Sequence, residues 1–184
     1  MAMNAKAVLT IGLVSSALLA GVGISIAERQ KTPAKPLGDG PVVEFPSTEI
    51  SQLARQRFLD GDFTIIRDVK ALPKPVLQVF TEQGGSRLLI ANPGKKFLAT
   101  DVIYDSSLPR KRLIFAGVFE NKCFVHYEQG GRGRMFILAF FKLTSKESME
   151  PLWRGFCGPA VNIEDLRSRV LKGECSRPAP RGMR

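Results

Sequence analysis

The chain has 184 residues, a formal net charge of +10, 44% hydrophobic residues, three Cys and one His. That length supports one domain and excludes a repeat array or a multidomain enzyme. Twelve Phe exclude long-range disorder, and a single imidazole excludes a His-rich metal centre.

Ala7 to Ala27 (AVLTIGLVSSALLAGVGISIA) is a run of 21 residues without a charge. Read as a signal peptide, it has Lys6 and the amine as its positive end and Ala7 to Leu19 as its apolar stretch. Ser25-Ile26-Ala27 then supplies the small residues for cleavage before Glu28. Read as an uncleaved anchor, the run spans about 30 Å, the hydrocarbon thickness of a bilayer. Arg29, Lys31 and Lys35 follow it, which opposes the charge bias of an anchor with an exported C-terminal side and tilts the balance toward cleavage. The expected location is periplasmic or secreted, or inner-membrane anchored with the domain outside the cytoplasm. An inverted anchor would instead leave the domain inside. Residues 28–46 hold four Pro and balanced charge, as expected of a linker.

A single domain is expected over 47–175. Ser47 suits an N-cap for a helix over 48–60, with Ile50, Leu53, Ala54 and Phe58 on one face. Asp60-Gly61-Asp62 supplies the stop. Phe63 to Arg67 reads as a short strand, ended by Pro73 and Pro75. Val76 to Phe80 and Arg87 to Ala91 read as strands of a hairpin around Gly84-Gly85. Asn92-Pro93-Gly94 marks a turn, and Phe97 to Tyr104 offers another strand.

Leu113 to Phe119, Cys123 to Tyr127 and Arg134 to Leu143 are joined by two short connections. They predict a three-stranded antiparallel meander, with the third strand covered on both faces. Ser145 to Trp153 suggests a short helical turn. Asn162 caps a helix with Glu164 and Asp165 in its first turn and Ile163, Leu166, Val170 and Leu171 as its apolar edge; Gly173 ends it. The tail 176–184 carries three Arg and two Pro and reads as disordered. The fold class is therefore α+β: an antiparallel sheet of about six strands packed by an N-terminal and a C-terminal helix.

Cys157 and Cys175 bracket the last helix. A disulfide between them would close a loop worth roughly 3 kcal/mol, and export would permit it. Cys123 reads as a buried small hydrophobe, with pairing to Cys157 or Cys175 as the alternative. No CxxC pair is present, so neither a metal site nor a cofactor is expected.

Alternation places Cys123, Val125 and Tyr127 on one face and Phe124, His126 and Glu128 on the other. This weakens a Cys–His dyad and leaves His126 and Glu128 as a weak base-and-orienter pair for a small hydrolase. No nucleophile elbow accompanies them. Gly130 to Arg134 lacks the spacing of a phosphate loop and reads as a hairpin turn with two Arg. Trp153 reads as part of an aromatic cluster on the sheet edge.

Residues 47–175 contain 20 basic and 14 acidic side chains. Lys95-Lys96, Arg110-Lys111-Arg112 and Arg132/Arg134 form separate loop clusters; if the strands are antiparallel neighbours, some of them gather at one end of the sheet, and otherwise they are a scattered solvated surface. Arg110, Lys111, Arg112, Arg132 and Arg134 are the candidate binding residues. The favoured function is an exported cell-envelope accessory protein that binds anionic lipid, wall polymer or a protein partner. Export disfavours nucleic acid, and an uncleaved leader would make the membrane itself a partner. A structural subunit of an envelope complex is the alternative, using small-residue faces such as Ser16/Ala20 or Ala17/Gly21.

Overall fold

The computed structural model describes residues 43–45, 50, 52–85 and 87–175. All of them belong to one unit, Ala34–Arg184. The expected leader, the Ser47 cap and the basic tail lie outside the described residues. Among the described residues no helix is long and apolar enough to cross a membrane.

In chain order the elements are α1 (Gln52–Asp60), β1 (Thr64–Ile66), a 3-10 turn (Val69–Ala71), α2 (Lys74–Val79), β2 (Ile90–Ala91), β3 (Lys111–Phe119), β4 (Lys122–Gln129), β5 (Met135–Leu143), β6 (Met149–Phe156) and α3 (Ile163–Leu171). They form one six-stranded sheet in the order β1-β3-β4-β5-β6, with β2 beside β3. The expected α+β class and meander are present, and β3 to β6 pair antiparallel throughout. Strands β1 and β2 share the far edge of β3: β1 runs antiparallel along Ala116–Val118, and β2 runs parallel along Lys111–Arg112.

Strict alternation on β4 and β5 builds two cores, one on each face. Cys123, Val125, Tyr127, Ile137, Ala139 and Phe141 face the layer made by the 3-10 turn and α2. Phe124, Leu138 and Phe140 face α1 and α3, where Phe58, Trp153, Leu166 and Val170 close the core. Phe58 meets Phe124 and Phe140 edge-on at 5.3 and 5.8 Å, the geometry ring quadrupoles favour. On β3, Leu113 and Ala116 share a face although three residues apart, because a bulge falls between Leu113 and Phe115. Among the described residues, both cores are built from residues 45–175, so this domain carries its own hydrophobic interior. Phe45, within the stretch expected to be linker, contributes a ring 5.7 Å from Phe141.

The helices α1 and α3 cap each other. Arg55 of α1 donates to the last carbonyls of α3, Val170 at 3.1 Å and Leu171 at 2.8 Å. Arg167 of α3 donates to Phe58 O at 3.2 Å and to Gly61 O, at the end of α1. Each guanidinium thus satisfies carbonyls that a helix end leaves without partners and sits at the negative pole of the dipole. Asn162 caps α3 as expected, accepting from Asp165 N at 2.8 Å. Cys157 and Cys175 form the expected disulfide, tying the end of β6 to the end of α3.

Several expected elements differ. Residues 74–79 are helical, not a strand: Pro75 occupies the first turn, where a missing N–H costs nothing, and Val76 and Phe80 bury one face. The hairpin around Gly84-Gly85 survives as a Thr81↔Leu88 bridge, with both glycines at positive φ. Residues 97–104 form a loop whose β pairing is the isolated bridge Thr100↔Gly131. Over the expected helical turn Ser145–Trp153 the chain instead bends and, from Met149, enters strand β6, which tolerates Pro151 because it is the sheet edge. Leu53 is 65% exposed and only Ala54 and Phe58 of α1 are buried, so the apolar face is narrower than the sequence suggests.

Candidate functional site

Residues Lys111, Gln129 and Met135 lie side by side across β3, β4 and β5. The start of β3, the end of β4 and the start of β5 therefore meet at one end of the sheet. The Asn92-Pro93-Gly94 turn returns the chain to the same place: Arg112 donates to Lys95 O at 3.3 Å, and Leu98 N donates to Pro109 O at 2.9 Å. The Thr100↔Gly131 bridge then sets loop 97–110 against the β4–β5 connection. Three basic clusters far apart in sequence converge: Lys95-Lys96, Arg110 to Arg112, and Arg132/Arg134. Gly130 makes this approach possible, since a Cβ there would overlap the Leu98 carbonyl oxygen.

The five candidate binding residues take different roles within this end. Arg112 and Arg134 both bind Glu128, which is only 2% exposed. Arg112 pairs with Oε1 through Nε, and Arg134 Nε reaches Oε2 at 2.6 Å. The Arg112 guanidinium also lies 4.5 Å above the Phe97 ring, and Arg134 lies 5.3 Å above Phe136. A buried carboxylate needs charged partners of this kind, so these two arginines are held by structure as much as offered to a ligand. Arg110 is half-buried and its Nε has no hydrogen-bond partner. Arg132 is exposed, as are Lys95 and Lys96. Lys111 turns to the opposite face of the sheet. There it lines a cavity of about 60 Å³ with Arg154, Tyr127, Phe45, Phe80 and Phe141. Burial raises the Tyr127 hydroxyl pKa, against a smaller lowering by Arg154 beside it.

The weak catalytic pair is placed apart in function. His126 is 0% exposed, with its ring edge-on to Phe115 at 5.4 Å. Its Nδ1 lies 3.1 Å from Ile137 O, and because a carbonyl only accepts, Nδ1 carries the proton. Nε2 is then a buried acceptor without a partner. Burial lowers the imidazole pKa to about 4, so the ring is neutral at physiological pH. No hydrogen bond joins it to Glu128, whose oxygens are taken by Arg112 and Arg134. Cys123 is buried on the other face, and burial pushes its thiol up to about 12, far from a reactive thiolate.

Among the described residues no group of three or more His, Cys, Asp or Glu is placed to hold a metal ion. Neither a family model, nor a curated protein, nor a solved structure matches the chain. The functional reading therefore rests on the site alone.

Two features of this end escape the sequence reading. The first is Glu128 as counterion to Arg112 and Arg134, visible only once the register sets Arg112 opposite Glu128. The second is Val102, Ile103 and Tyr104, exposed by 65%, 51% and 67%, where a strand was expected.

Proposed function

We propose that the domain is a binding module of the cell envelope that docks on a polyanionic surface through this end of the sheet. The observation that carries the reading is the convergence of Lys95, Lys96 and Arg132, all exposed, around the Glu128 ion pairs. The fields of clustered like charges add, which raises the local concentration of an anionic partner and its rate of arrival. The acidic side chains nearby are few. Glu128 is neutralised, and Asp105 is engaged by Ser107, whose N and Oγ donate to it at 2.8 and 2.6 Å. Asp101 and Asp105 remain the opposing charges in the loop, since the Ser107 hydrogen bonds hold Asp105 in its anionic form. The Cys157–Cys175 disulfide fits an oxidising compartment and supports export.

The test uses residues 34–184 with dextran sulfate and phosphatidylglycerol vesicles as probes. Replacing Lys95, Lys96 and Arg132 together with Ser leaves the Glu128 pairs intact. At about 1 kcal/mol per surface cation, affinity should fall by about 3 kcal/mol at low salt. Unchanged affinity for both probes refutes the reading.

A further inference from the structure

Within the proposed reading, on which this step rests, we infer that the anionic partner is a lipid bilayer and that Val102, Ile103 and Tyr104 enter it. The three form a run of large apolar side chains within loop 97–110, each more than half exposed. The other exposed large apolar side chains among the described residues, Leu53, Ile65, Val161 and Leu171, stand singly in the sequence.

The loop that carries the run is held in place. Leu98 N bonds Pro109 O at 2.9 Å and closes the base of the loop. Arg87 donates to Ser106 O at 2.7 Å, and the Tyr104 hydroxyl donates to Phe97 O at 3.4 Å. That last bond ties Tyr104 to the backbone of the residue that follows Lys96. The Thr100↔Gly131 bridge sets the other side of the loop beside Arg132. The apolar run thus lies between the segments that carry Lys95-Lys96 and Arg132, with Asp101 and Asp105 as its immediate neighbours in sequence.

This combination discriminates between anionic partners. A hydrated polyanion such as a wall polymer satisfies Lys95, Lys96 and Arg132 but offers no apolar phase to Val102 and Ile103. The interfacial layer of an anionic bilayer offers both within one loop's depth: phosphate at the headgroups and hydrocarbon just below. Tyrosine suits that boundary, with an apolar ring and a polar hydroxyl. An exposed contiguous apolar patch is otherwise a solubility liability, which a membrane contact removes.

Two variants of residues 34–184 test this. In Ile103→Trp, the new indole should shift its emission to the blue on phosphatidylglycerol vesicles and not on dextran sulfate. The native Trp153, 2% exposed, contributes a constant background. In Val102→Ser/Ile103→Ser, vesicle affinity should fall at least tenfold while dextran sulfate affinity stays within twofold, because Lys95, Lys96 and Arg132 are untouched. Emission that does not move on vesicles that bind the protein overturns insertion, as does a double variant that binds vesicles as wild type does. Either result leaves the basic docking end standing. Binding to dextran sulfate without binding to vesicles overturns the lipid assignment alone and points to a soluble polymer or an acidic protein. Binding to neither probe removes the basic docking end and this inference together.

Discussion

Arg112 on β3 stands directly across from Glu128 on β4, and its Nε pairs with a carboxylate that solvent scarcely reaches. Arg134, just before β5, takes the second oxygen at 2.6 Å. The three residues lock the start of β3, the end of β4 and the start of β5 into one block, from which the exposed cations project.

The two arginines are expected to differ in stability. The Arg112 side chain is 24% exposed and that of Arg134 53%. Arg112→Ala should cost about 2 kcal/mol, because it leaves a buried carboxylate short of one partner and removes the guanidinium from the Phe97 ring. Arg134→Ala should cost less, about 1 kcal/mol, because its guanidinium is half-exposed and water can take its place at Oε2. Urea titrations of the two variants measure the difference, and equal small losses would contradict the structural role assigned to Arg112.

His126 gives the domain a pH dependence of defined sign. Its folded pKa of about 4 lies below the ordinary 6.5, so protons bind the unfolded chain first. The stabilisation is fully present above pH 6.5 and is lost as pH falls through 4. Between pH 7.5 and 5 the loss from this residue is about 2 kcal/mol. His126→Asn keeps a donor for Ile137 O and removes the titration. It should be less stable than wild type at neutral pH and should lose less on acidification. A parallel pH dependence in wild type and variant would refute the assignment.

The thiols should sort by chemistry. Native, unreduced protein is expected to resist alkylation at pH 8, because Cys123 is buried with its pKa near 12 and Cys157 is bonded to Cys175. Unfolding without reductant should release one thiol, and unfolding with reductant three. Reduction should cost about 3 kcal/mol, set by the loop that the bond closes. Intact mass after blocking counts the thiols directly, and three blocked thiols without reductant would show that the bond does not form.

Gly130→Ala is expected to disturb the docking end without touching a charge. Its Cβ would overlap the carbonyl of Leu98 and drive loop 97–110 away from the β4–β5 connection. The loss should be about 1–3 kcal/mol, with faster hydrogen exchange confined to residues around Leu98 and Gly130. Unchanged exchange there would mean that the contact does not hold the loop.

Part of this arrangement is legible in the sequence. The alternation Cys123, Val125, Tyr127 against Phe124, His126 sorts β4 correctly between the two cores, because a strand's side chains have no freedom to do otherwise. Asn162 with Asp165, and Cys157 with Cys175, are local or topologically short relationships and are equally readable. Other features depend on register and tertiary context. Val76 to Phe80 has the composition of a strand, but two flanking prolines and a free sheet face turn it into α2. Pro151 argues against a strand until β6 is known to be the edge. Val102 to Tyr104 has strand-like side chains but no neighbouring strand to pair with. The five candidate binding residues share one end of the sheet, yet Arg112 and Arg134 neutralise Glu128, and Lys111 turns to the cavity beside Tyr127. Arg110 is half-buried, and Lys95, Lys96 and Arg132 are the exposed cations of this end that no ion pair among the described residues engages.

The most direct measurement is vesicle binding by residues 34–184 across a salt series, wild type against Lys95→Ser/Lys96→Ser/Arg132→Ser, with phosphatidylglycerol as the anionic lipid. Wild type should bind tightly at low salt and weaken steeply as salt screens the exposed cations. The triple variant should be about 100-fold weaker at low salt with a flatter slope, while melting at the same temperature. Coincident curves for the two proteins would contradict a docking role for this end of the sheet.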